Sequence, residues 1–253
     1  MHDIFSSLTL ADYTFLVALI QSPFNLTDDR RLQALLATYE QEGTEEARAA
    51  LNRQLERELR YLGSADVAYF IRYVAGRDPG APFQEIVRDV ARALKVELPP
   101  LGTERDLLEH LVQEYATQQF ARLSPEAQQN MLVSLGVEQE RAAAFIRRSA
   151  GVFAVPALIQ AFDLLVVQGL IKNIVFGTIS RIIGRQLSQR LFGFLAGRFP
   201  WWLRWVGPVS WGVSAGWAFA DLQGPAQRKI IPAMLYLGVC SLRERQEDDA
   251  GKG

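Results

Sequence analysis

Cysteine and histidine are nearly missing from this chain of 253 residues. A single cysteine, Cys240, excludes an intramolecular disulfide and any cysteine-based zinc site of known spacing. Two histidines, His2 and His110, are too few for a His-rich zinc or iron centre. A nucleophilic triad would have to use His110, which lies in the helical pattern LLEHLVQEY and reads as a surface or boundary residue. The chain also lacks G-x-S-x-G, G-x-x-x-x-G-K and G-x-G-x-x-G. GRDPGAP has glycines but neither the lysine nor the strand context, and reads as a turn. The paired acids Asp28-Asp29 and Glu45-Glu46 stand at helix starts, where the dipole explains them. These absences lead us to expect a protein that is not an enzyme and holds neither metal nor cofactor.

Acidic residues are scarce in one region only. Residues 141–240 hold 11 Lys+Arg against two acids, Asp163 and Asp221, whereas residues 1–140 hold 13 against 22. The overall net charge of -1 therefore conceals an acidic front and a basic back. Such a split points to different partners for the two halves.

Strand signals, meaning period-two alternation between turn residues, are also scarce, and the fold class expected is all-α. Helical patterns run over about Leu10 to Ile20, then after Thr27, then from the cap Thr44 through Ala47, Leu51, Leu55, Leu59 and Leu62 to Gly63. A further helix opens on Ser64 and stops at Gly76, and another covers about Phe83 to Val96. Thr103 caps ERDLLEHLVQEYATQQFARL, and Ser124-Pro125 has the favoured N-cap and N1 order. The N-terminus has no basic start and carries Asp12 just before its short apolar run, so it reads as a first helix and not as a signal peptide. The expected organisation is an acidic helical bundle over 1–148, a basic, apolar, glycine-rich helical module over 149–245, and a disordered tail over 246–253.

Two stretches of the back half bear on membranes. Ser149 to Ile171 is 23 residues with one charge, Asp163. As one helix it would measure about 34 Å, enough for the hydrocarbon core. Its twelve Val, Leu, Ile and Phe residues favour insertion, by roughly 4 to 7 kcal/mol. Asp163 returns roughly 2.5 to 3.5 of that, and Pro156, Gln160, Gln168 and Gly169 erode the rest, so the balance falls near zero. A lone carboxylate in an apolar run is by default a functional or pairing group, so Asp163 is expected as a buried polar residue meeting an arginine or backbone donor on another helix. Ser180, Gly184 and Ser188, and again Gly193 and Gly197, repeat at a spacing that lets helices approach closely.

The second stretch, FPWWLRWVGPVSWGVSAGWAF, holds every tryptophan of the chain: Trp201, Trp202, Trp205, Trp211 and Trp217. Only 16 uncharged residues separate Arg204 from Asp221, too short a run to cross a bilayer unaided. Indole rings favour the membrane interface, and Arg198 and Arg204 add attraction to an anionic leaflet. The five tryptophans and two arginines are accordingly the candidate membrane- or partner-contact residues. The same indoles suit the core of a soluble bundle or a subunit interface equally well. Basic residues mixed with aromatics also suit nucleic acid, but these arginines are scattered through apolar sequence and no recognised motif accompanies them, which makes nucleic acid an unfavoured partner.

ELRYLGSADVAYFIRYVAG, FQEIVRDVARALKVEL and LLEHLVQEYATQQFARLSPEAQQNML, with GPVSWGVSAGWAFADLQGPAQRKIIPAMLYLGVCSLR, resemble the YaaW family of uncharacterised bacterial proteins. Gly207-Pro208, Asp221, Gly224-Pro225, Arg228, Ile231-Pro232 and Leu242-Arg243 carry the more specific part of the likeness. The N-terminus and the AGRDPGAP loop depart from the family pattern. The resemblance implies a helical fold with a glycine-rich apolar C-terminal part, and it brings no activity or site residues.

The expectation is therefore an amphitropic helical protein whose C-terminal module docks on or inserts into a membrane. Its sharper form is pore formation or membrane disruption in stress or bacterial conflict. The alternative is a soluble helical protein-interaction or chaperone-like module with a closed apolar core. The expected partners are an anionic membrane surface or a protein, with homo-oligomers compatible with either. The expected location is the cytoplasm, with peripheral or inserted attachment to the inner membrane.

Overall fold

The computed structural model describes residues 4–5, 7–20, 26–64, 81–149, 153–184 and 227–250. Among these residues every regular element is a helix, so the chain is all-α. The helices are α1 (Leu10–Ile20), α2 (Leu26–Glu42), α3 (Glu45–Leu62), α4 (Phe83–Leu94), α5 (Glu104–Ala121), α6 (Pro125–Ser134), α7 (Gln139–Ser149), α8 (Val155–Ala161), α9 (Leu164–Gly184) and α10 (Gln227–Ala250).

Local chemistry starts these helices where the sequence indicates. The Thr44 hydroxyl accepts from the Ala47 amide, and the Ser124 hydroxyl accepts from the Ala127 amide ahead of Pro125. Thr103 and Asp106 form a reciprocal capping box at the start of α5. On α3 the stripe Ala47, Leu51, Leu55 and Leu59 is buried while Leu62 is only half-buried. At its far end, α4 closes on Lys95 in the left-handed region, with φ 58°.

Packing then joins what the charge pattern divides. α9 and α10, both from the basic half, lie on α5, and α10 also touches α1, α3 and α4. Their buried side chains form one hydrophobic cluster with those of α1, α3, α4 and α5. The boundary near residue 148 therefore marks a change of charge and not a gap between two cores. α10 also runs on to Ala250, so residues 246–250, expected as part of a disordered tail, are helical.

α10 is the central strut. Every residue from Ile230 to Leu242 is buried. Gly238 is the point of closest approach to α5: a Cβ there would lie 2.8 Å from the Leu108 carbonyl oxygen and 2.5 Å from Val112 Cγ1. Polar ties fix its register. The Tyr236 hydroxyl donates to Asp12 Oδ1 at 2.7 Å, and the Cys240 thiol points at the same oxygen from 3.7 Å. Asp12 Oδ2 accepts from the Thr9 amide and hydroxyl, each at 2.7 Å, which also caps α1. Lys229 Nζ donates to the Ile20 carbonyl, and Arg105, ion-paired with Glu109, donates to the Ser241 carbonyl. The Asp12 carboxylate, 4% exposed, is tolerated because the Tyr236 hydroxyl and the Thr9 amide and hydroxyl replace its lost water.

Candidate membrane-contact site

Trp201, Trp202, Trp205, Trp211, Trp217, Arg198 and Arg204 lie outside the described residues. Asp163 is described, and it corrects the expectation. The apolar run 149–171 is not one helix: α8 ends at Ala161, and α9 begins at Leu164. Asp163 sits in the break, exposed to solvent, and its Oδ1 accepts from the Val166 amide at 2.7 Å. The first amides of a helix have no partner within it, and the carboxylate supplies one, next to the positive end of the dipole. Asp163 is thus an exposed helix cap, not a buried polar group reaching another helix.

Moving the helix start also moves the span-like segment. Leu164–Ile182, 19 residues, is long and apolar enough to cross a bilayer, and 61% of it is buried in the bundle. Its inner face is held by aromatic and polar contacts. The Phe176 ring lies 5.9 Å from that of Tyr236 and 6.5 Å from that of Phe15, and Phe15 stacks on Tyr236 at 4.2 Å. Thr178 and Tyr115 share a buried hydrogen bond of 3.0 Å. Burial pushes the Tyr115 phenol above its ordinary value of 10.0, opposed by that bond and by the charges of Arg181 and Arg122.

The outer end of this segment is open. Leu164 is 46% exposed, Leu165 74% and Ile159, on α8, 39%. Leu158 and Phe162 turn inward and anchor the corner. The Phe162 ring packs 4.8 Å from Phe145 on α7, and the Arg141 guanidinium lies over the Phe162 ring, 5.8 Å from its centre, and donates to the Ala161 carbonyl at 2.6 Å. Sequence reasoning passed over Leu164 and Leu165 because hydropathy counts aliphatic residues without saying which way they face. It also missed Asp12 with Tyr236, a pair 224 positions apart that no local pattern signals.

Elsewhere, His110 is exposed. Among the described residues no group of three or more His, Cys, Asp or Glu side chains is placed to hold a metal ion.

No family model matches the chain. No solved structure matches it. Among curated proteins it is similar to a UPF0174 protein of Helicobacter pylori, with 24% identity over 218 residues that span 85% of this chain and 79% of that protein. The likeness is distant and points to an uncharacterised bacterial family.

Proposed function

We propose that this is an amphitropic helical protein that carries a closed bundle in water and attaches its basic, apolar half to an anionic membrane. The observation that carries the reading is α9, a helix of bilayer-spanning length whose first residues, Leu164 and Leu165, face solvent. The surplus of 11 Lys+Arg over two acids in residues 141–240 supports attraction to anionic lipid. Pore formation or membrane disruption is the stronger form of the same reading. In the terms of the sequence resemblance, the chain is YaaW-like, a likeness supported by the pattern from Gly207-Pro208 to Leu242-Arg243.

A soluble interaction module with a closed core is the second reading, favoured by the 61% burial of the span-like segment. Tryptophan emission separates the two, since all five indoles lie within residues 201–217. Attachment predicts a blue shift and protection from acrylamide when anionic vesicles are added. Emission and quenching unchanged by lipid, with no protein floating alongside the vesicles, overturn attachment and leave the interaction module.

A further inference from the structure

We infer that the corner where α8 meets α9, and not only the tryptophan segment, touches the anionic lipid surface, with Ile159, Leu164 and Leu165 entering the interface and Arg141, Arg147 and Arg148 meeting the headgroups. This rests on the membrane-attachment reading above and names its contact surface.

The residues facing outward along the corner are unusual for a surface. From Ala154 to Leu165 the exposed positions are Ala, Pro, Ala, Ile, Gln, Asp, Leu and Leu. The one charge among them, Asp163, has an oxygen committed to the Val166 amide. Single exposed leucines are ordinary on a protein surface, whereas exposed aliphatic side chains grouped with so little charge mark a contact surface. Of the two consecutive leucines, Leu164 is about half open at 46% exposure and Leu165, at 74%, projects into solvent. Protein hot spots seat their anchors in packed, desolvated pockets, whereas a projecting aliphatic wedge suits a deformable lipid interface.

Charge complements that wedge. On α7, Arg141, Phe145 and Arg148 are spaced four and three apart, hence on one face, and Phe145 and Arg141 both touch Phe162 at the corner. Arg147 and Arg148 are exposed in the last turn, and no described carboxylate pairs with Arg141, Arg147 or Arg148. The exposed acids of α7 and its lead-in, Glu138 and Glu140, stand beside Arg141 and at the opposite end of that helix from Arg147 and Arg148, so the uncompensated positive charge lies with the last pair. A rim of cations around an aliphatic centre is the arrangement that gains from both hydrocarbon and anionic headgroups.

The test is flotation of the full chain with phosphatidylglycerol-containing vesicles, with phosphatidylcholine vesicles as control. Leu165→Asp places a carboxylate in the first turn of α9, where the dipole favours it, so helicity by circular dichroism should be unchanged. The inference expects Leu165→Asp to weaken co-flotation about tenfold or more. It expects Arg147→Gln with Arg148→Gln to weaken binding to the phosphatidylglycerol vesicles while leaving phosphatidylcholine binding as it was. If the wild type floats and Leu165→Asp floats equally, the corner is not the contact, and attachment through another segment stands. If the wild type does not float, attachment itself falls, and the corner with it. A wild type that dimerises without lipid and becomes monomeric with Leu165→Asp assigns the corner to a second copy of the chain and overturns the lipid assignment.

Discussion

α9 and α10 come from the same apolar, acid-poor half of the chain, yet they meet the rest of the molecule differently. α10 is enclosed from Ile230 to Leu242 by α1, α3, α4, α5 and α9. α9 has the composition of a span, yet it starts on two exposed leucines and is only 61% buried over its span-like length. Hydropathy therefore does not rank burial here. What encloses α10 is shape, a glycine pressed against α5, together with polar ties to Asp12, Ile20 and Arg105. Pulling α10 out would take the Tyr236 donor from the buried Asp12 carboxylate and part the Ile20 and Ser241 carbonyls from Lys229 and Arg105, each costly to leave unmet. α9 meets α5 through a buried hydroxyl pair and meets α1 and α10 through ring contacts, while its first turn stays open to solvent.

The sharpest way to break this contrast is to truncate one aliphatic side chain on each helix. Leu235→Ala, at a position with no exposure, is expected to cost about 2 to 5 kcal/mol in denaturant unfolding. Leu165→Ala is expected to stay within about 0.5 kcal/mol. Equal losses would mean that α10 is not the enclosed member of the pair.

A smaller effect compares two glycines. Gly238→Ala sets its new methyl against the α5 backbone and should cost about 1 to 3 kcal/mol, since the helices must separate. Gly169→Ala, on α9, meets Leu135 Cδ2 at 2.6 Å, the free end of a half-buried side chain that turns aside, so its cost should be the lesser. The reverse order of midpoints would contradict the account of the α5–α10 approach.

The last comparison concerns Asp163, the cap of α9. Asp163→Ala should lower stability by about 1 kcal/mol, and Asp163→Asn should restore most of it, because an amide oxygen caps nearly as well. If the alanine variant unfolds like the wild type, the cap does not hold the start of α9 in place.

Much of the bundle was legible because its signals are local. Thr44, Thr103 and Ser124 announce helix starts through the hydroxyl that an orphan amide needs, and the Ala47–Leu59 stripe repeats at a helical period. The same locality hid the rest. Asp163 looked like a charge inside a span because periodicity weighs composition and overlooks the amides that demand an acceptor after Phe162. The polar run QEDDA reads as tail by composition, yet it continues α10, whose turns are nucleated by the enclosed part before it. No single-sequence pattern connects Asp12 with Tyr236, since their meeting depends on how α1 and α10 cross. The corner at Leu164 and Leu165 was invisible for a related reason: exposure is decided by neighbours far along the chain.

Cys240 gives this architecture a built-in timer. It is the one thiol of the chain, 3% exposed, carried on the buried face of the last helix and seated against Asp12 of α1. A thiol-reactive dye reaches it only in molecules whose last helix has swung from its seat, so the labelling rate counts those excursions. Followed with and without lipid, that clock distinguishes a protein that rests on a surface with its bundle shut from one that unlatches as it lands.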